Sequence, residues 1–320
     1  MGRIVEGRVA VVTGGGRGIG RAIAIALARE GAKVVVNDPG VNVDGTGFDE
    51  GPADEVVAAI REAGGEAVAD YHSIASMEGG QAVIQTALDH FGRVDILINA
   101  AGILRDRMIF NMTEEEWDAV IAVHLKGYFA TIRAVTPLMR HQRYGRIVNC
   151  TSMAALRGTS GQANYAAAKG GIYGLTKAVA RDMGRYGVTC NAVAPAAATR
   201  MTATVPQEAL EKRAQAGIVA PRRIDPELMQ RRTPEHVAPM VVYLCSEEAW
   251  NINGQTFFVS GGEVSLLQEP MPYRTIATDG IWQMDLLRRL VPEFLMQGIR
   301  NPAPPAEENI PPSQRPAKTA

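Results

Sequence analysis

Tyr165 and Lys169 stand four residues apart in a segment with helical patterning, so their side chains share one face. Ser152 lies 13 residues before Tyr165, at the end of an apolar, β-branched run. A strand end and the helix after it can bring a hydroxyl, a phenol and an amine to one point. Taken alone, the Tyr–Lys spacing is also what an exposed tyrosine beside an exposed lysine would give. A second set of residues lies near the N-terminus. Thr13-Gly14-Gly15-Gly16-Arg17-Gly18-Ile19-Gly20 joins the first apolar run to the first helical segment. Glycines there let backbone N–H groups approach a pyrophosphate at a helix N-terminus; a tight turn alone would use them too. Asp38 follows 18 residues after Gly20, where a carboxylate accepts a bond from a ribose 2′-hydroxyl. The plainer alternative is a turn aspartate before Pro39. A carboxylate facing a 2′-phosphate costs roughly 1–4 kcal/mol at about 4 Å, so Asp38 favours NAD over NADP. Arg17 lies in the same mouth and would pull the other way, unless it pairs instead with Asp38 or the pyrophosphate.

These residues need a frame. Short apolar runs at Val9–Thr13, Lys33–Asn37, Glu66–Ala69, Val94–Asn99, Arg146–Thr151, Val188–Val193 and Gln255–Val259 lack polar alternation, as strands covered on both faces do. Between them lie helical patterns at Ile19–Glu30, Ala53–Ala63, Met77–Phe91, Glu114–Met139, Asn164–Tyr186 and Glu235–Cys245. Thr113 and Glu116 form a capping box, and Gly31 and Gly64 stand where left-handed helix ends fall. The alternation predicts an α/β fold with a doubly wound, mostly parallel sheet. Right-handed crossovers then gather the loops after the strands, and the ligand site, on one edge. Residues 39–51 read as a long loop after the second strand, and 196–232 as an insert before the last helix. Periodicity ends after Gly262. Residues 263–301 are expected to form an extension with one amphipathic stretch, Ile281–Phe294. It would cover a neighbouring subunit, cap the pocket or simply dock. Residues 302–320 are rich in proline and polar groups, as disordered tails are.

With 33 Lys plus Arg against 34 Asp plus Glu, the chain has no basic excess to neutralise phosphates, so nucleic acid is not an expected partner. No stretch of 18 apolar residues predicts a membrane span. Cys150, Cys190 and Cys245 are scattered in apolar runs, which predicts buried thiols rather than a metal or disulfide site. No signal-peptide pattern opens the chain and Lys-Thr-Ala closes it, so a reducing cytoplasm is the expected compartment.

TGGGRGIG, NAAG, Ser152, YAAAK and a closing SGG, in this order over about residues 5–262, resemble the short-chain dehydrogenase/reductase family. VVVNDPG, AAGILRDRM, VHLKG, GQANYAAAKGG and PEHVAPMVVYLC resemble its (3R)-hydroxyacyl-CoA dehydrogenase branch, found in peroxisomal multifunctional enzymes. The resemblance implies a Rossmann fold over residues 1–262 and an NAD-dependent interconversion of a secondary alcohol and a ketone. It implies that Tyr165 is the general acid/base, that Lys169 holds the nicotinamide ribose and lowers the phenol pKa, and that Ser152 orients the substrate oxygen. Moving a tyrosine from ~10 toward ~7 takes about 4 kcal/mol, which one ammonium at 4–5 Å and an effective dielectric of ~20 nearly supplies, helped by the positive nicotinamide ring of NAD+. His124 stands where many members carry asparagine, and serves through its carbonyl or ring, or is a helix histidine satisfied by a neighbour. Further cofactor contacts fall on Asp70, Tyr71, Asn99, Ala100, Ala101, Gly102, Pro195, Ala197 and Thr199. Leu104, Met153 and Leu156 with the insert would hold the substrate, unless they are ordinary core. The pairs Arg222-Arg223 and Arg231-Arg232 would meet coenzyme A phosphates or form a solvated face. The implied partners are an acyl-CoA, a second copy of the chain in a homodimer or homotetramer, and a separate enoyl-CoA hydratase. The alternatives are a dehydrogenase of a CoA-free alcohol such as a hydroxysteroid, and a nucleotide-binding scaffold without turnover.

Overall fold

The computed structural model describes residues 3–198, 232–299, 301–303, 305 and 309–310. They form two units, one of described residues up to 198 with 232–267, the other beginning at 268. In the larger unit the strands are β1 (Val9–Thr13), β2 (Lys33–Asn37), β3 (Ala67–Asp70), β4 (Ile96–Asn99), β5 (Gly145–Cys150), β6 (Val188–Pro195), β7 (Thr256–Ser260) and β8 (Glu263–Leu266). They lie in the order β3-β2-β1-β4-β5-β6-β7-β8, all parallel except the last pair. The chain winds outward in both directions from β1, which pairs with β2 on one side and β4 on the other. That reversal opens a crevice at the carboxyl ends of β1 and β4.

Helices α1 (Gly18–Arg29), α2 (Gly51–Glu62) and α8 (Ala238–Cys245) supply the apolar cluster on one face, where they meet Ala10 and Val12. On the other face Val9 and Val11 pack with α3 (Met77–Phe91), α5 (Gly127–Gln142) and α7 (Ala163–Met183). Both faces of β1 are therefore dry, which is why its sequence shows no alternation. The capping box forms at the start of α4 (Glu114–Ile121), with Glu116 N–H on Thr113 Oγ1 at 3.2 Å and Thr113 N–H on Glu116 Oε2 at 3.1 Å. Gly31 and Gly64 adopt φ of 94° and 82°, as left-handed helix ends require.

The structure departs from the expected elements in two places. The pattern over Glu114–Met139 is not one uniform helix: a wide π turn, Ala122–Lys126, joins α4 to α5 and carries His124. Such turns tend to mark functional positions. The sheet also does not end at Gly262. Gly261, at φ 58°, and Gly262 make a two-residue hairpin, and β8 pairs Glu263 with Ser260 and Leu266 with Phe257. The unit accordingly ends after Leu267.

The smaller unit carries α9 (Met284–Leu290) continuing into a wide turn, Val291–Leu295, and no residue of either is buried. Arg274 donates to the carbonyls of Phe294 and Leu295, both at 3.2 Å, and so caps the free end of this helix. Most of 302–320 and all of 199–231 lie outside the described residues, and with them Thr199, Arg222, Arg223 and Arg231. The flanks of the insert meet, since Ala198 N–H donates to the Arg232 carbonyl at 2.6 Å.

Candidate active site

The carboxyl ends of β1, β2, β4 and β5 align across the sheet at Thr13, Asn37, Asn99 and Asn149. Beyond Thr13 the glycine turn is too crowded for side chains. A methyl on Gly14 would lie 2.6 Å from Ala101 Cα, and one on Gly20 would lie 2.0 Å from the Gly14 carbonyl oxygen. Only bare backbone allows the turn, the loop after β4 and the start of α1 to approach this closely. The turn borders a cavity of about 380 Å³, within the range of small-ligand sites. Gly14, Arg17, Gly18, Ile19, Gly20, Asp38, Ala100, Ala101 and Gly102 line it, nine residues expected from sequence.

The Asp38 carboxylate accepts from Gly16 N–H (2.9 Å) through one oxygen and from Gly40 N–H (2.8 Å) through the other. Both bonds fix its orientation at the rim. Arg17 does not pair with Asp38. Its guanidinium donates to the Gly40 and Val41 carbonyls (3.5 and 3.3 Å) and to Asp49 (3.4 Å). The long loop after β2 draws it away by offering those acceptors. Asp70 and Asn99 do not line the cavity. Asp70 is buried among Asn37, His72 and Thr86, and Tyr71 donates to Asp54 at 2.6 Å. Asn99 is buried between Asn149 (2.9 Å) and Thr131 (2.8 Å).

A second cluster forms where β5 meets α7. Lys169 Nζ is buried and donates to the Cys150 carbonyl at 2.7 Å, while Thr151 Oγ1 donates to the Lys169 carbonyl at 2.8 Å. These two bonds hold the strand end and the helix together. The ammonium lies 5.5 Å from the Tyr165 ring centre and 5.2 Å from that of Tyr128. Burial pulls the Lys169 pKa down to about 8. Burial likewise pushes the Tyr165 phenol up to about 12, against the downward pull of a hydrogen bond with Ser152. The protein's own groups therefore leave the phenol above its ordinary value. The amine is turned to the Cys150 carbonyl, and removing a phenolate from water costs more than a neighbouring hydroxyl returns.

The His124 ring meets Tyr165 edge-on, with centroids 5.3 Å apart and planes at 90°. It is buried, and burial followed by the Lys169 charge holds it well below the ordinary histidine value, so the ring is neutral. Pro195 ends β6, and Ala197, two residues on, is buried. Leu104 and Met153 are partly buried, whereas Leu156 is 44% exposed and so is not core. Two supporting residues were missed from sequence. Asn164 Nδ2 reaches the carbonyls of Arg105 and Glu116, both at 2.9 Å, and its Oδ1 takes the Tyr165 N–H at 2.8 Å. Tyr128 donates to the Ala101 carbonyl at 3.0 Å. Its place one turn after His124 was the available signal. All three cysteines are free and buried, and no metal-ligating group of three occurs among the described residues. No helix there is long and apolar enough to cross a membrane.

A glycine cradle with no room for a methyl, an oriented rim carboxylate and a phenol–amine–hydroxyl cluster lie at one sheet edge. The chain belongs to the short-chain dehydrogenase/reductase family: residues 14–263 match the family model described as enoyl-(acyl carrier protein) reductase. Members use a nicotinamide cofactor and act on CH–OH groups. The chain is 44% identical over 86% of its length to the hydroxyacyl-CoA dehydrogenase ChsB1 of Mycobacterium tuberculosis, covering 84% of that protein. It is 43% identical over 82% of its length to the mouse peroxisomal multifunctional enzyme type 2, of which it spans 33%. It is also 43% identical over 80% of its length to a 3-oxoacyl-[acyl-carrier-protein] reductase of Synechocystis, covering 97% of it. A short-chain dehydrogenase crystal structure from Mycobacterium avium superposes with a TM-score of 0.77 at 44% identity, covering 94% of this chain and 97% of that one.

Proposed function

We propose that the chain interconverts (3R)-3-hydroxyacyl-CoA and 3-oxoacyl-CoA with NAD. The observation that carries this reading is the Ser152, Tyr165 and Lys169 cluster at the same sheet edge as the glycine turn and Asp38. A nicotinamide dinucleotide held along that edge supplies the hydride chemistry. Tyr165 moves the hydroxyl proton, Ser152 orients the substrate oxygen, and Lys169 lends positive charge beside the phenol. His124 contributes through its position rather than by titrating, because its ring is held neutral. Asp38 supports NAD over NADP. Arg17, which shares the cavity wall with Asp38, is already committed to the Gly40 and Val41 carbonyls and Asp49. A 2′-phosphate there would meet a carboxylate, with the Arg17 guanidinium engaged elsewhere.

The acyl-CoA substrate is carried over from the relatives named for hydroxyacyl-CoA chemistry. A second reading, an acyl group on a carrier protein, is favoured by the Synechocystis relative. Initial rates with NAD on a 3-hydroxyacyl-CoA, the same acyl group on carrier protein and a CoA-free secondary alcohol separate these. The CoA thioester is expected to be used best; a faster rate on either other substrate overturns the assignment. The same preparation is expected to sediment as a homodimer or homotetramer, and a separate hydratase would supply the hydroxyacyl thioester.

A further inference from the structure

The segment between β2 and α2 is not a slack connection. Asp49 N–H donates to the Pro39 carbonyl (3.1 Å), closing its ends, and Asn42 N–H reaches the Thr46 carbonyl (2.7 Å) within it. A loop closed on itself in this way is a compact Ω-type loop. It is held at two sides. Arg17 grips its Gly40 and Val41 carbonyls. On the far side Leu104 N–H donates to the Val43 carbonyl (2.8 Å) and Arg105 Nε to the Asp44 carbonyl (2.7 Å). Gly45 rests on Ile103, where an added methyl would come within 3.0 Å of Cδ1. The loop thus spans the 380 Å³ cavity as a strap, from the glycine turn to residues 103–105 after β4.

One side chain grips those last residues from beneath. His124 Nε2 lies between the Ile103 N–H (3.1 Å) and the Ile103 carbonyl (2.9 Å). Its ring presses on Gly102, where a methyl would stand 2.4 Å from Cε1. The other edge of the contact is the Tyr165 ring, 5.3 Å away. Nδ1 is buried with no hydrogen-bond partner, so Ile103 holds the ring's polar contact among the described residues. His124 therefore touches both the reactive phenol and the anchor of the strap.

We propose that His124 is a positioning residue coupling the Tyr165 ring to the 39–51 strap, so that closing the strap over a dinucleotide and aligning the phenol are one event. This rests on the cavity being the dinucleotide site. Such a link is a coupling free energy, visible only when both ends are perturbed together. The test is a double-mutant cycle on the full chain, reading NADH affinity by fluorescence and kcat in parallel. Arg105→Met releases the strap's far anchor. His124→Phe keeps a ring against Tyr165 but loses the hydrogen bond to Ile103. Each is expected to weaken NADH binding about 5–10-fold, with kcat falling mainly in the histidine variant, and the double variant little weaker than the worse single one. His124→Gln, which retains a hydrogen-bonding group toward Ile103, is expected to recover part of the affinity and serves if the phenylalanine variant fails to fold. Losses that multiply in the double variant, or single variants within about twofold of wild type, overturn the coupling. Wild-type protein that binds neither NADH nor NADPH overturns the dinucleotide reading itself, a separate result from multiplying losses on intact wild-type binding.

Discussion

The two ends of the site are built from different materials. At the nucleotide end, recognition belongs to backbone: glycines with no room for a methyl, N–H groups on Asp38, and carbonyls that hold Arg17. At the catalytic corner it belongs to side chains, Lys169 and His124 buried and Tyr165 partly so, and burial rather than neighbouring charge dominates their acidities. The first end tolerates no added volume but needs little tuning. The second holds groups whose charged forms are costly, and its chemistry depends on what stabilises those forms.

The contrast predicts how each end fails. Tyr165→Phe removes one oxygen and leaves the ring on His124. Turnover is expected to fall by about 10³-fold with NADH affinity within about twofold of wild type, read by steady-state rates and fluorescence titration. Unchanged turnover would break the division of labour. Lys169→Met keeps the stem and removes the charge. A loss of about 10²-fold in turnover is expected, together with weaker dinucleotide binding; loss of one without the other would show that the ammonium serves a single end. Asp38→Asn should shrink the preference for NAD over NADP by about 10-fold, as its lost repulsion is roughly 1.4 kcal/mol or more. Equal preference before and after would remove Asp38 from cofactor choice. The smallest effect is on stability. Gly102→Ala sets a methyl against His124 and is expected to cost about 1–3 kcal/mol, seen as a lowered Tm.

The nucleotide end was the more legible of the two in sequence, because glycine spacing and a strand-end aspartate act through backbone geometry that local pattern encodes. Nine of its lining residues follow from local pattern, whereas the strap shows in sequence only as a loop. Its closing bonds join Val43 and Asp44 to Leu104 and Arg105, about 60 residues on, and no local signal announces them. Asp70 and Asn99 stand at strand ends as expected, but the neighbouring strands offer Asn37 and Asn149, and their polar groups are spent there. At the catalytic corner the residue types and their shared face were readable. Burial was not part of that reading, and in the protein alone it pushes the phenol up. The hairpin to β8 was signalled by Gly261-Gly262, a turn hidden inside the family's closing motif.

The account rests on the Tyr165 phenol carrying the proton. The direct measurement is the pH dependence of kcat/KM in both directions at saturating dinucleotide. Alcohol oxidation needs the phenolate, so its rate is predicted to rise with pH as Tyr165 ionises. Ketone reduction needs the phenol and should fall through the same ionisation, and Tyr165→Phe should flatten both limbs. An oxidation rate that falls with rising pH, or a limb that persists in Tyr165→Phe, would contradict the assignment.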